Sequence, residues 1–237
     1  MPDEVIIVDN NSTDNTSSLV KKYSFAKIIK ESRQGKVYAR DKGFNSAKSD
    51  IIGRIDTDSI IPKNWVAHVK EFYAGSDHHK QAWTGGCYVY NLRFPRLAGL
   101  IMSVIAFRMN RLLMGHYILY GSNMAIPNKM WKDVRSQVCR NNGIHEDLDL
   151  SIHLHQAGYQ INYQQYVKVG VEFRRVLRNR NELWENLMMW PNTLKVHGKK
   201  TWVFGWVGAL ILYVLSPFLV FNEWVARLFG RDPLDEY

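Results

Sequence analysis

Ile51-Ile52-Gly53-Arg54-Ile55-Asp56-Thr57-Asp58 is the stretch on which the reading of this chain turns. Ile51–Ile55 reads as a strand, and it runs straight into two carboxylates separated by one residue. If the segment stays extended, Asp56 and Asp58 project to the same side. Paired oxygen ligands suit a hard divalent cation, Mg²⁺ or Mn²⁺, which commonly shares its coordination with substrate phosphates. Acidic triplets are also common in turns. The strand before this one, and the helix expected from Pro62 with Trp65, Val66, Val69 and Phe72 on one face, give it weight.

Working outward, the front half alternates strand and helix signals. Val5–Val8 reads as a strand that opens the chain with no signal peptide before it, and Asp9-Asn10-Asn11-Ser12-Thr13-Asp14 is a turn rich in helix-capping residues. A short helix through Tyr23, a strand at Ala26–Lys30, a loop around Gln34-Gly35-Lys36 and a helix at Val37–Lys48 follow. This alternation predicts an α/β sandwich with a mainly parallel sheet, whose ligands collect at the carboxyl ends of the strands. Both acidic clusters fall at such ends.

Further on, Leu97, Leu100, Ile101, Val104 and Ile105 recur at helical spacing, interrupted by Arg93, Arg96, Arg108 and Arg111. A continuous span would bury those arginines, so the segment reads as an amphipathic helix at a membrane interface or in the core. Gly121-Ser122-Asn123-Met124-Ala125-Ile126 reads as a loop entering a strand. His145-Glu146-Asp147-Leu148-Asp149-Leu150 leads a helix that stops at Gly158, and Ile161–Val169 is strand-like. No charge interrupts Trp202–Phe221, which as a helix spans roughly 30 Å, the hydrocarbon thickness of a bilayer. Lys195, Lys199 and Lys200 at its front edge favour a front domain on the cytosolic face.

Bulk properties fit this outline. The chain has 237 residues, a net charge of +9 and 46% hydrophobic residues, enough for one sizeable domain and an attachment. A basic balance suits nucleic acid, an anionic membrane or a phosphate-bearing substrate. The basic residues are scattered, without a recognisable nucleic-acid module, so a nucleic-acid partner is not expected. Two cysteines, Cys87 and Cys139, form neither a disulfide framework nor a CxxC pair. His145, Asp149 and His153 are spaced by four, but without HExxH or an evident fourth ligand they read as surface or acceptor-site residues rather than a zinc site.

Taken in order, the Val5–Asp14 block, Gly35 with Ala39-Arg40, Ile55–Asp58, Gly121–Ala125 and Glu146–Leu150 resemble the signature blocks of family 2 glycosyltransferases, over about residues 3 to 170. The resemblance implies a GT-A fold and a nucleotide-diphosphate sugar donor. It implies that Asp9, with Asn11 and Gly35 beside it, contacts the nucleotide, that Arg40 lies near the diphosphate, and that Asp56 and Asp58 hold the cation and the donor. Asp147 of the Glu146-Asp147 pair would be the general base in an inverting transfer, with the helix start keeping it ionised. Asn123, Arg174 and Arg175 are expected at the acceptor or the phosphates.

Two departures from the family pattern shape the expectation. Members usually begin with a strand and helix ahead of the Asp9 block, and here that unit, roughly 30 residues in a typical βαβ element, is missing. No Gln-x-x-Arg-Trp motif of the processive members follows Asp147, which favours transfer of one sugar at a time. The expected layout is a domain at 1–180 that lacks its first βα unit, a basic juxtamembrane segment at 181–201, a transmembrane helix at 202–221 and a polar tail at 222–237. The acceptor would be a lipid-linked or cell-envelope glycan. The rival readings are a GT-A-like membrane scaffold, or fragment, that lost its donor pocket, and a nucleic-acid binder.

Overall fold

The front βα units form as the sequence suggests. In the computed structural model, described here for residues 1–92, 94–172 and 179–228, β1 (Val5–Asp9) and β2 (Ala26–Lys30) flank α1 (Thr16–Val20), and α2 (Lys36–Ser46) follows. The two strands pair in parallel, from Val5 opposite Ala26 to Asp9 opposite Lys30.

A second, four-stranded sheet carries the rest, in the order β3 (Ile51–Arg54), β5 (Met124–Pro127), β4 (Gln81–Val89), β6 (Gln160–Val171). β5 runs antiparallel to both neighbours, whereas β4 and β6 are parallel. The architecture is therefore a mixed α/β one in two sheets. Among the described residues its strand pairings divide evenly between parallel and antiparallel, where a mainly parallel sheet is expected from the sequence.

The central strand β4 has no counterpart in the sequence reading. Every residue from Ala82 to Val89 is buried, so the alternation that marks a half-exposed strand is lost, and Gly85-Gly86 resembles a turn. In the fold those glycines sit at a register shift against β6. Side chains alternate across the neighbouring strand β5. Met124 and Ile126 join a core with Phe44, Trp131 and Leu154, while Ala125 joins Trp65, Trp83 and Val169 on the opposite face.

The helices are α3 (Trp65–Ala74), α4 (Pro95–Ser103), α5 (Asn110–Met114), α6 (Asn128–Val134), α7 (Glu146–Gln156), α8 (Arg180–Val196) and α9 (Trp202–Leu228), with a π-helical turn at Val104–Met109 joining α4 to α5. Leu148 and Ile152 of α7 pack with Met114 of α5 and Leu194 of α8. This contact fastens the helix that bears Glu146 and Asp147 onto the carboxyl-terminal half.

Two apolar helical stretches bear on the expected span. Among the described residues, Leu97–Met114 is the helical stretch long and apolar enough to cross a membrane by length and composition, and Trp202–Phe218 is a shorter apolar stretch within α9. Arginines within the first stretch weigh against a span in the sequence. In the fold, however, the Arg111 guanidinium lies over the Tyr117 ring and donates to its hydroxyl at 2.8 Å. Both segments show apolar side chains to solvent, among them Leu97, Leu100, Ile101 and the 85%-exposed Leu112, then Phe204, Ile211, Val214 and Phe218.

Candidate active site

The β1–α1 loop is built by its own polar side chains. Asp9 accepts from the Ser12 backbone N–H at 2.9 Å and from the Ser17 hydroxyl at 3.0 Å. Bonds from Ser12 and Ser17 hold its carboxyl below the usual carboxylate range. Asn10 donates to the Glu31 and Arg33 carbonyls and accepts from the Gly35 N–H at 2.8 Å. Asn11, at φ 61°, donates to the Ser32 carbonyl at 2.7 Å. Gly35 opens α2 at φ 138°, which no other residue type adopts without strain. An open cavity of about 390 Å³ lies here, lined by Asp9, Asn11, Ser12, Thr13, Lys30 and Ser32.

At the end of β3 the geometry departs from the extended strand that sequence suggests. The strand stops at Arg54, and the Asp56 carbonyl accepts from the Ser59 N–H at 3.1 Å, so the acidic triplet lies in a turn. Ile60 then exchanges backbone hydrogen bonds with Gly170, which pins the turn to β6. Tyr90 donates to the Asp58 carbonyl at 3.3 Å. Ser122 donates to Asp56 Oδ2 at 2.7 Å, and the Asp56 side chain keeps 46% of its surface exposed.

Arg54 is the residue that sequence reasoning missed. Its side chain is 16% exposed and faces three carboxylates: Asp147 at 2.5 Å, Glu146 at 3.2 Å and Asp56 at 3.5 Å. A charged residue inside an apolar strand needs a partner, and that was the available signal. The Gly121 N–H also donates to Asp147 Oδ2 at 2.9 Å. Burial raises the Asp147 carboxyl from its ordinary value, against the pull of Arg54. Burial acts the same way on Glu146, but Arg54, His145 and Lys36 outweigh it and hold that carboxyl down to about 2. Helix-start acidity alone does not describe the pair, because the guanidinium and the buried setting act alongside it.

Arg40 and Asn123, expected at the donor and acceptor, also make contacts inside the fold. Arg40 is buried, donates from Nη1 to the Glu146 carbonyl at 2.8 Å and gives Nε and Nη2 to Asp41. Its guanidinium braces the start of α7. Asn123 is fully buried, accepts from Trp65 Nε1 at 2.8 Å and donates to the Gly86 and Val167 carbonyls. It locks the irregularity between β4 and β6 to α3, so its amide is committed inside the fold. Arg174 and Arg175 lie outside the described residues. Asp56, Glu146 and Asp147 thus come together around Arg54, while Asp9, Asn11 and Gly35 form the neighbouring loop pair.

This architecture is shared with glycosyltransferases of the GT-A class. The mannosyltransferase PcManGT from Pyrobaculum calidifontis, solved with GDP-Man and Mn²⁺, superposes with a TM-score of 0.58 at 17% identity, over 97% of this chain and 67% of that one. Glucosyl-3-phosphoglycerate synthase from Mycobacterium tuberculosis, solved with Mn²⁺, uridine diphosphate and glucosyl-3-phosphoglycerate, gives 0.57 at 16% identity, over 81% and 68%. S. aureus TarS 1–349 gives 0.53 at 14% identity, over 90% and 71%. At such identities the likeness is one of fold. No curated protein matches by sequence. Residues 1–126, more than half of the chain, match the profile described as Glycosyl transferase family 2, and the chain belongs to that family of glycosyltransferases.

Proposed function

We propose that the protein transfers a single sugar, with inversion, from a nucleotide-diphosphate sugar to a membrane-proximal glycan or lipid-linked acceptor. The observation that carries the reading is the convergence of Asp56, Glu146 and Asp147 on Arg54, from β3, the turn after it and the start of α7. Solved neighbours of the same fold hold GDP-Man with Mn²⁺ or uridine diphosphate with Mn²⁺.

Asp56 and Asp58 fit the expected cation by donor chemistry. Both offer carboxylate oxygens, and the Asp56 side chain is nearly half exposed. Mg²⁺ and Mn²⁺ favour such sites because they keep waters and substrate phosphates in their shell. When bound, the cation supplies neutralisation of the charge that develops on the leaving diphosphate.

The chain's own groups carry the remaining steps. The donor's nucleotide faces the loop of Asp9 and Asn11. The acceptor hydroxyl oxygen attacks the anomeric carbon, the bond to the diphosphate oxygen breaks with its electron pair, and the hydroxyl proton passes to Asp147. The Gly121 N–H and Arg54 orient that carboxylate. Burial raises the Asp147 carboxyl from its ordinary value, against the pull of Arg54, and so favours proton uptake by the base. The exposed apolar faces at Leu97–Leu112 and along α9 support a membrane-side acceptor, with the Trp202 segment as anchor and the catalytic domain on the cytosolic face.

A donor panel with Mn²⁺, assayed for both binding and transfer, tests the reading. Asp58→Ala should lose transfer under metal-replete conditions; wild-type activity in that variant would remove the anchor assignment. Asp147→Asn should abolish transfer and leave donor binding nearly intact, and equal loss of both would make the residue structural. A chain that binds no nucleotide sugar with Mn²⁺ would be a GT-A-like scaffold instead. Truncation before Trp202 followed by membrane fractionation separates the anchors: unchanged retention assigns the holding to the Leu97 region.

A further inference from the structure

Behind Asp147, α7 presents a second group of side chains that the sugar-transfer site does not use. Asp149 and His153 are one helical turn apart, and the fold brings Cys139, from the loop after α6, and His197, at the end of α8, onto them. One ligand atom from each of the four lies within 4.8 Å of the others. Sequence shows only the Asp149–His153 spacing. The third and fourth ligands come from distant segments, and His145, grouped with them by spacing, stands outside the cluster.

We propose that Cys139, Asp149, His153 and His197 form a structural zinc site that fixes the helix bearing Asp147. One sulfur, two imidazole nitrogens and one carboxylate oxygen are the ligand types of a tetrahedral Zn²⁺ site, and they disfavour Mg²⁺ and Mn²⁺. Thiolate and carboxylate together cancel the charge of the ion, so a buried site carries no net charge. Four protein ligands leave no open position, which marks a structural rather than a catalytic centre.

A hydrogen-bond network alone does not account for the arrangement. Asp149 is fully buried and accepts from the Cys139 N–H at 3.0 Å and from His197 Nε2 at 2.9 Å. His153 is only 9% exposed, and its Nδ1 is buried without a hydrogen-bond partner. Its Nε2 stops 3.4 Å from Asp149 Oδ1, and its ring meets that of His197 edge-on at 4.9 Å. A metal ion is one way to satisfy such a buried nitrogen, and at His153 it would have three further ligand types within reach.

Zinc bonds of about 2.0–2.3 Å place tetrahedral ligand atoms roughly 3.3–3.8 Å apart, so closure needs side-chain shifts of about 1 Å. Burial and the adjacent Asp149 carboxylate push the free Cys139 thiol up to about 11; metal binding displaces that proton. The site also joins an existing brace. Arg140, next to Cys139, donates to Asp41 at 2.9 Å; Asp41 accepts from Arg40, and Arg40 holds the Glu146 carbonyl.

The test is metal analysis of the full chain, expressed without a metal-binding tag and dialysed against a weak chelator. About one zinc per chain is expected, and the Co²⁺-substituted protein should show a thiolate-to-cobalt charge-transfer band. Cys139→Ser should lose the band, while Cys87→Ser and Asp58→Ala should keep both band and zinc. Substoichiometric zinc in the wild type after reconstitution, or a band that survives Cys139→Ser, would overturn the proposal. Should Cys139→Ser fail to fold, wild-type stoichiometry and the cobalt spectra of wild type and Cys87→Ser decide it.

Discussion

The guanidinium of Arg54 lies 2.5 Å from the carboxylate of Asp147, a pairing between residues ninety-three apart in sequence that joins the end of β3 to the start of α7. Removing one partner of a buried pair leaves the other charge uncompensated. Arg54→Met should therefore cost about 3–5 kcal/mol in denaturant unfolding. The double variant Arg54→Met with Asp147→Asn should cost less than the sum of the two singles, and strict additivity would show that the pair is not coupled.

Gly121 touches the same carboxylate from the other side. A Cβ at this position would lie 2.3 Å from Asp147 Oδ2, so Gly121→Ala must displace the carboxylate although the backbone N–H remains. A misplacement of about 1 Å at a reacting group costs on the order of 10²-fold in rate. Steady-state kinetics should show that loss mainly in kcat.

Asn123 makes three buried hydrogen bonds whose loss can be measured. Asn123→Ala strands the Trp65 indole N–H and the Gly86 and Val167 carbonyls inside the fold. Each unsatisfied buried group costs about 1–3 kcal/mol, so thermal unfolding should drop sharply. An acceptor-site role predicts the opposite pattern: a raised KM with stability unchanged.

His116 supplies a pH signature. Burial pushes its imidazole down from 6.5 to about 4, with Nδ1 bonded to the Tyr117 carbonyl at 2.8 Å and Nε2 buried without a partner. A lowered folded value means that the unfolded chain takes up a proton first. Stability should fall as pH drops from about 6.5 to about 4 and level off below. Urea titrations of His116→Gln should show a flatter profile over that window.

Much of the frame is legible along the chain because its signals are local. Val5–Asp9 and Ala26–Lys30 are short apolar strands bounded by turn residues, and Glu146–Gln156 is a helix closed just beyond by Gly158 at φ 84°. The ordered acidic blocks carry the family, which the profile match confirms over residues 1–126. The strand β4 is not legible, since burial on both faces erases period-two alternation. The span expected at Trp202–Phe221 also rests on local composition; the segment forms a helix, and Leu97–Met114 is a second stretch of span length and composition.

What sequence alone determined is the α/β frame, the family and the presence of Asp56, Asp58 and Asp147 near strand or helix ends. Periodicity, capping and motif order are properties of neighbouring residues, so they survive in one dimension. Only the tertiary structure decided which charges meet: Arg54 with Asp147, Arg40 with the Glu146 carbonyl, Asn123 with Trp65, and Cys139 and His197 with Asp149. Those pairings depend on strand order and helix packing, and no local pattern encodes which distant side chain will occupy a buried polar group's one available partner position.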